Sequence, residues 1–355
     1  MPTRGLKLKD TKLALKKHAL VRLCLTSLLY FVLPSVLFYL LCVYVLVTEI
    51  CFHFPNLVKK RKYKKLEYSK ERFGFFMGAH RGGSLEGLEN TMTNFKKAKE
   101  LGGLYVEMDV CMTKDKKVVV IHDPHLKRIS GIDKNVNDCN YAELPKIKDK
   151  VPVHFDWSNY DATNWQDKTF PLFDDVCKEL GDTPINMEIK TNDDGILEEV
   201  YKIVKKNHKT SQVVWGTRRY EDSIKLSKMA PEVCRFACAK EFMSIYIGYI
   251  FGYLPFIDID CDTVQLPLCT EGYKKCCTLE IKSALKRSLL LNFIKLTAYI
   301  VDPLLVHLQK RGVEPIFWVI NRKEELEECL TYEGLSGIMT DCPEYFINLL
   351  EGKED

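Results

Sequence analysis

Three short apolar runs, each ending in polar residues, fall within fewer than fifty positions of this chain. Phe75-Phe76-Met77-Gly78-Ala79 leads into His80 and Arg81, Leu104-Tyr105-Val106 into Glu107 and Asp109, and Val118-Val119-Val120-Ile121 into His122 and Asp123. Runs this short and this rich in β-branched and aromatic residues read as strands. Open α/β sheets and α/β barrels carry their chemistry at the C-terminal ends of strands. Three polar clusters on three strand ends therefore converge on one mouth.

Glu107 and Asp109 are two apart on one strand, so both point to the same face. Adjacent carboxylates repel, and one is pushed toward protonation unless a cation sits between them. Such oxygen ligands suit Mg²⁺ or Ca²⁺ better than zinc. Alone, the pair also fits a surface salt bridge. The apolar run before it speaks for burial, and a buried carboxylate needs a partner. His80 and His122 titrate near neutral pH and suit general acid–base work. Arg81 offers a planar fork matched to phosphate oxygens. Further on, Asn186, Glu188 and Lys190 alternate with Ile185, Met187 and Ile189, so Glu188 and Lys190 share one strand face. A half-exposed strand with a salt bridge gives the same pattern.

Nine segments read as strands: 75–79, 105–110, 118–121, 185–189, 213–216, 235–239, 263–268, 315–320 and 337–340. The connection 113–117 is too short for a parallel crossover, which needs about a dozen residues. Strand 118–121 must therefore return as a hairpin arm. Eight remain, the number of a (β/α)₈ TIM-type barrel. Helical patterns over 90–101, 195–208, 221–229 and 324–332 lie between them. From 124 to 170 the pattern loosens into an insertion after the hairpin, expected either to fold over the mouth or to loop into solvent.

The ordered blocks Gly-Ala-His80-Arg81-Gly-Gly, Glu89-Asn90-Thr91, Glu107-Met-Asp109, His122-Asp123, Ile-Asn-Met-Glu188-Ile-Lys190, Phe317-Trp318-Val-Ile-Asn321 and Gly-Ile-Met-Thr340-Asp341-x-Pro343 resemble the glycerophosphodiester phosphodiesterases, over residues 75–350. An apolar N-terminal segment and the block 242–268 look most like that family's small membrane-anchored branch of lysophospholipases D. The resemblance implies a divalent cation, Mg²⁺ or Ca²⁺, on Glu107, Asp109 and Glu188. It further implies His80 and His122 as the catalytic pair; His80 is expected as base and His122 as acid, an order that the sequence itself does not set. Arg81 and Lys190 would bind the phosphate and Trp318 would line the pocket, where core packing is the competing role. Glu89 is expected to orient His80 or Arg81. The implied substrates are lysophosphatidylcholine, lysophosphatidylethanolamine or an N-acyl-glycerophosphoethanolamine, cleaved on the head-group side to release the head group, with lysophosphatidate as the other product of the lysophospholipids. Soluble glycerophosphodiesters and a phospholipase C-like cut are the alternatives. A catalytically silent membrane scaffold on the same fold is another, set against an intact residue set.

The chain has 355 residues and a net charge of +4, which suits a barrel plus an anchor. Residues 1–22 are basic, 23–47 carry no charge, and 48–74 form a basic linker with six Lys or Arg between 59 and 65. Twenty-five uncharged residues can cross a bilayer as one helix. They exceed the apolar core of a cleaved signal peptide, about 7–15 residues, so a single-pass anchor is expected, in the endoplasmic reticulum or another internal membrane by resemblance. Basic residues flank it on both sides, so the positive-inside rule does not orient it. Both runs flank the apolar segment and hold a single aromatic, Tyr63, which argues against nucleic acid as a partner; the downstream run fits contact with membrane lipid or a plain stop-transfer flank equally. The apolar stretch 242–257 is expected to face the membrane as a resting hairpin or lid, with barrel core as the alternative. Residues 288–306 read as barrel-side helices. The 14 cysteines show no framework spacing, and free thiols are expected.

Overall fold

The computed structural model describes residues 27, 35–58, 66–156, 158–190 and 193–353. The basic segment 1–22, most of 23–34 and the basic run 59–65 lie outside the described residues. The chain first forms helix α1 (Ser35–His53), then β1 (Phe76–Ala79), α2 (Met92–Leu101), β2 (Tyr105–Met112) and β3 (Val118–Val120). Alternation along β2 sends Val106, Met108 and Val110 into the layer under the helices and Tyr105 into the barrel interior, and Glu107 and Asp109 follow Tyr105 by the same period. As the short connection requires, β3 pairs antiparallel with β2, Val110 opposite Val120.

The insertion holds α3 (Lys127–Ser130) and a small hairpin of β4 (Lys150–Pro152) and β5 (Asn159–Asp161). Its apolar side chains, among them Leu126, Ile129, Val136 and Val151, pack on Val119 and Ile121 of the hairpin arm. The chain continues with α4 (Phe173–Leu180), β6 (Ile185–Ile189), α5 (Ile196–Lys206), β7 (Val213–Gly216), α6 (Tyr220–Met229) and β8 (Cys234–Arg235). Then come α7 (Ala239–Phe251), β9 (Thr263–Pro267), α8 (Glu271–Glu280), α9 (Ala284–Ile300) and α10 (Asp302–Lys310). The last elements are β10 (Glu314–Trp318), α11 (Lys323–Cys329), β11 (Gly337–Thr340) and α12 (Pro343–Leu350). The strands order as β8-β7-β6-β2-β1-β11-β10-β9, all pairs parallel. A parallel bridge from Phe236 to Thr263 brings β8 to β9, nearly closing the expected eight-stranded barrel.

One end of the barrel interior is filled. Tyr68, ahead of β1, stacks on Tyr105 at 4.2 Å and meets Phe76 edge-on, with Val214, Ile316 and Met339 in the same cluster. Gly78 is required above this layer, because a Cβ there would overlap the Tyr105 ring. The polar residues that follow on the strands are left to line the opposite end, the mouth.

Several boundaries differ from expectation. Helix α1 runs on through Glu49 to His53 instead of ending at 47. The expected linker from 48 therefore begins as helix, and it is docked: Phe52 stacks on His307 at 4.5 Å, and His307 Nδ1 donates to the Phe52 carbonyl. Tertiary packing of the helix end outweighs the charge that marked its limit. The strand expected at 235–239 stops at Arg235, because the Cys238 amide is already capped by Glu241 as α7 begins. The stretch 242–257 is no hairpin. It is α7 and a 3₁₀ turn (Leu254–Phe256), with Ile245, Tyr246 and Tyr249 in the core and Met243, Ile247, Ile250 and Phe251 exposed. Among the described residues, α1 is the helix long and apolar enough to cross a membrane, and α9 with α10 meets that test only as a pair bent by 63°. All described cysteines are free thiols.

Candidate active site

The site grows from the turn after β1. His80, Arg81 and Gly82 form one 3₁₀ turn in which Arg81 takes φ +52°, a left-handed conformation that L side chains seldom adopt. That turn aims the Arg81 amide at Glu107 Oε2, 2.9 Å away, while its buried guanidinium lies in the mouth, with Nε 3.8 Å from Asp109 Oδ2. Strand register supplies the rest. Asp109 of β2 lies opposite Glu188 of β6, and Lys190 Nζ sits between them at 2.8 and 2.7 Å. Burial pulls Lys190 toward the neutral form, but Asp109 and Glu188 outweigh it and its pKa is raised.

Negative charge still exceeds its local compensation. Burial and neighbouring Asp109 push Glu107 up to about 7. Asp109 Oδ2 and Glu188 Oε1 are buried without a hydrogen-bond partner. Each has only an arginine Nε at ion-pair distance, Arg81 at 3.8 Å and Arg218 at 3.7 Å, and carboxylate oxygens of this kind are the donors a hard divalent cation takes. Among the described residues the group whose ligand atoms all lie within 4.8 Å of one another is a different one, His122, Asp123 and His154. Its His154 accepts from Arg81 and its Asp123 from Arg128, and those cations disfavour a metal ion there.

Each expected catalytic imidazole has its own carboxylate. His80 Nδ1 donates to Asp341 Oδ1 at 2.6 Å, with Nε2 3.8 Å from Glu107. Burial works against its protonation, yet Asp341 and Glu107 together raise its pKa. His122 Nδ1 meets Asp123 Oδ1 at 2.5 Å. Its enclosure, with Arg81 and Lys190 beside it, holds His122 well below the usual range and therefore neutral. Glu89 bridges the two sides: Arg81 reaches it at 3.3 Å, and Arg128, which also holds Asp123 at 2.5 Å, reaches it at 2.6 Å. Burial opposes its ionisation, but Arg128 and Arg81 hold its carboxyl below the ordinary range.

His80, Arg81, Glu89, Glu107, Asp109, His122, Glu188 and Lys190 thus share one mouth. Trp318 borders it through Phe155, 5.7 Å between rings, and Phe155 in turn meets His80 at 5.8 Å. The insertion delivers two residues that sequence reasoning missed. His154 accepts from Arg81 Nη1 at 3.0 Å and lies 4.9 Å from the His122 ring. Phe155 packs between Tyr273 of α8 and Trp318. Helix α8 holds this segment in place: Lys275 donates to the Asp156 carbonyl, and Gly272 lets the helix backbone approach Phe155. The insertion therefore reaches over the mouth. Asp341 stood in a quoted block at a strand end, the same signal that marked His80; His154 had no such signal.

The family model for the glycerophosphoryl diester phosphodiesterases matches residues 80–251. A human protein named lysophospholipase D GDPD1 is 31% identical over 86% of this chain and 94% of its own length. This chain belongs to the glycerophosphodiester phosphodiesterase family. It is thus a phosphodiesterase, and a second human relative named lysophospholipase D GDPD3 is 27% identical over 76% of the chain and 83% of its own length. Solved structures share the fold of this phosphodiesterase. A putative glycerophosphodiester phosphodiesterase from Galdieria sulphuraria superposes with a TM-score of 0.56 at 15% identity, over 82% of this chain and all of that one. The Thermotoga maritima glycerophosphodiester phosphodiesterase gives 0.51 at 22% identity, over 78% and 98%.

Proposed function

We propose that this phosphodiesterase is a membrane-anchored lysophospholipase D. It cleaves the bond between phosphorus and the head-group oxygen, releasing choline, ethanolamine or an N-acylethanolamine and leaving the phosphate on the glycerol side, as lysophosphatidate when that glycerol is acylated. The observation that carries the chemistry is the placement of two His–Asp pairs beside three carboxylates that Lys190 and Arg81 only partly offset. The relatives' names support the lipid substrate, an apolar α1 docked on the barrel supports a membrane source, and the family resemblance alone suggests an internal membrane such as the endoplasmic reticulum.

Glu107, Asp109 and Glu188 would hold Mg²⁺ or Ca²⁺. Such an ion neutralises phosphate charge and lowers the pKa of a bound hydroxyl. Arg81 and Lys190 hold the remaining phosphate oxygens, where transition-state charge grows. One imidazole takes the proton of the attacking hydroxyl, from water or a neighbouring glycerol hydroxyl, and the other returns a proton to the leaving oxygen. The enclosure of His122 beside Arg81 and Lys190 favours it as the proton acceptor, and Asp341 on His80 Nδ1 favours His80 as the donor. Trp318, Phe155 and Tyr273 wall the side where the organic substituent lies, and Glu89 holds Arg81 and Arg128 in place.

The test is hydrolysis of lysophosphatidylcholine by the full chain and by Glu188→Gln, across a Mg²⁺ and Ca²⁺ series. Loss of at least about 10²-fold in the variant, with one of the two ions required by the full chain, is expected from removing a carboxylate ligand. Undiminished turnover in the variant or in chelator would overturn the cation assignment.

A further inference from the structure

Nearly all the large apolar side chains that stay exposed among the described residues fall on three neighbouring segments: α1 with the 3₁₀ turn Pro55–Leu57 that follows it, α7 with Phe256, and the α8–α9 pair. Only Ile132 and Leu350 lie elsewhere. On α9 they are Leu285, Leu289, Leu296 and Tyr299, from 57% to 71% exposed, and their spacing places them on one stripe of the helix, interrupted by Asn292. The opposite side of α9 is buried through Ile294 and Thr297.

The three segments are joined. Tyr44 Oη of α1 donates to the Phe251 carbonyl of α7 at 2.7 Å, and Phe52 lies 5.5 Å from Tyr249. From α7, Tyr246 meets Phe293 of α9 edge-on at 5.5 Å, and Tyr249 Oη donates to the Ile300 carbonyl. The exposed side chains therefore form one surface continuous with the candidate span.

The charge of the α9 segment is one-sided. Residues 281–301 contain Lys282, Lys286, Arg287 and Lys295 and no acid. At about 100° per residue, Lys286 and Lys295 fall on either side of the apolar stripe, where their stems can lie along it and their ammonium groups reach phosphate. An apolar stripe with an exclusively cationic rim marks a helix lying in a lipid interface. A span is excluded by packing: α10 is buried in the barrel coat through Leu304, Leu305 and Leu308, and α9 alone, 17 residues, reaches about 26 Å, short of a bilayer core of about 30 Å.

We propose that α7 and α9 form a second membrane contact, lying in the acyl region of the leaflet next to α1. The surface runs from the anchor to the mouth, since α9 begins four residues after Glu280, which lies 3.7 Å from His154. This contact is independent of which lipid is hydrolysed.

The full chain is reconstituted in nanodiscs of phosphatidylcholine and phosphatidylserine with a trace of phosphatidylcholine bearing an acyl-chain diazirine. After irradiation, lipid adducts are mapped by mass spectrometry. Adducts are expected on α1, α7 and α9 and not on α2 or α4, across the barrel. The Leu289→Glu/Leu296→Glu double variant is expected to lose at least about fivefold of the α9 adducts while keeping those on α1. Adducts confined to α1 would overturn the proposal. So would α9 cross-links to a second copy of the chain in place of lipid, or α9 adducts that persist undiminished in the double variant.

Discussion

Replacing Asp341 with Asn tests whether the His80–Asp341 pair is a working unit. Asp341 is fully buried and accepts from His80 Nδ1 at 2.6 Å, from Ser84 Oγ at 2.5 Å and from Asn321 Nδ2 at 2.8 Å. The substitution keeps the shape and removes the charge. A hydrogen bond to a charged group contributes about 1.5–3 kcal/mol, so kcat/KM should fall by about 10–150-fold at 1.4 kcal/mol per decade. Asp341 is the strongest upward pull on His80, so the limb of the pH–rate profile that belongs to His80 should move to lower pH. The limb of His122, set by enclosure and by Arg81 and Lys190, should stay. Initial rates on a soluble glycerophosphodiester across pH 5–9 (the range bracketing an ordinary His) give both readouts, with a thermal melt to check folding. Ser84→Ala removes a neighbouring bond and leaves the charge, and is expected to lose less than about fivefold. An Asp341→Asn variant within about threefold of wild type, with both limbs unmoved, would refute the reasoning.

Three further expectations follow from the same geometry. Glu107, raised from 4.5 to about 7, keeps a proton in the folded chain that the unfolded chain has released, so metal-free stability falls as pH rises between those values. Thermal stabilisation by Mg²⁺ or Ca²⁺ should accordingly be larger at pH 8 than at pH 6 (about tenfold tighter binding per pH unit below 7), and a pH-independent shift would contradict this. Gly272→Ala would drive a Cβ into the Phe155 carbonyl and push α8 from the insertion; kcat/KM should drop by about 10–100-fold as the mouth shifts, with the barrel melt little changed. Phe52→Ala, at the buried joint between α1 and His307, should cost about 3–5 kcal/mol and lower the melting temperature by about 6–20 °C; an unchanged melt would show that the joint carries no stability.

Much of the barrel was legible because strands and chemistry share a period of two. Glu107, Asp109, Glu188 and Lys190 could be placed by alternation, and the short 113–117 connection identified β3 as a hairpin arm. Residues set by long-range packing were not legible. His154 and Phe155 reach the mouth because the insertion seats on Val119 and Ile121 and is held by α8, contacts with no local periodicity. The end of α1 was misplaced because Phe52 and His307 are 255 positions apart. On α9, Lys286 and Lys295 masked an apolar stripe that is evident only once its buried side is known. The charge states of His80 and His122 depend on Asp341 and on Lys190, which the fold brings in from other strands.

The most direct test of the lysophospholipase D reading is product identification from head-group-labelled lysophosphatidylcholine, using the full chain with Mg²⁺, Ca²⁺ or chelator beside His80→Ala. Free choline that needs a divalent ion and disappears in the variant is the expected result. Phosphocholine instead would move the cut to the other side of phosphorus and contradict it.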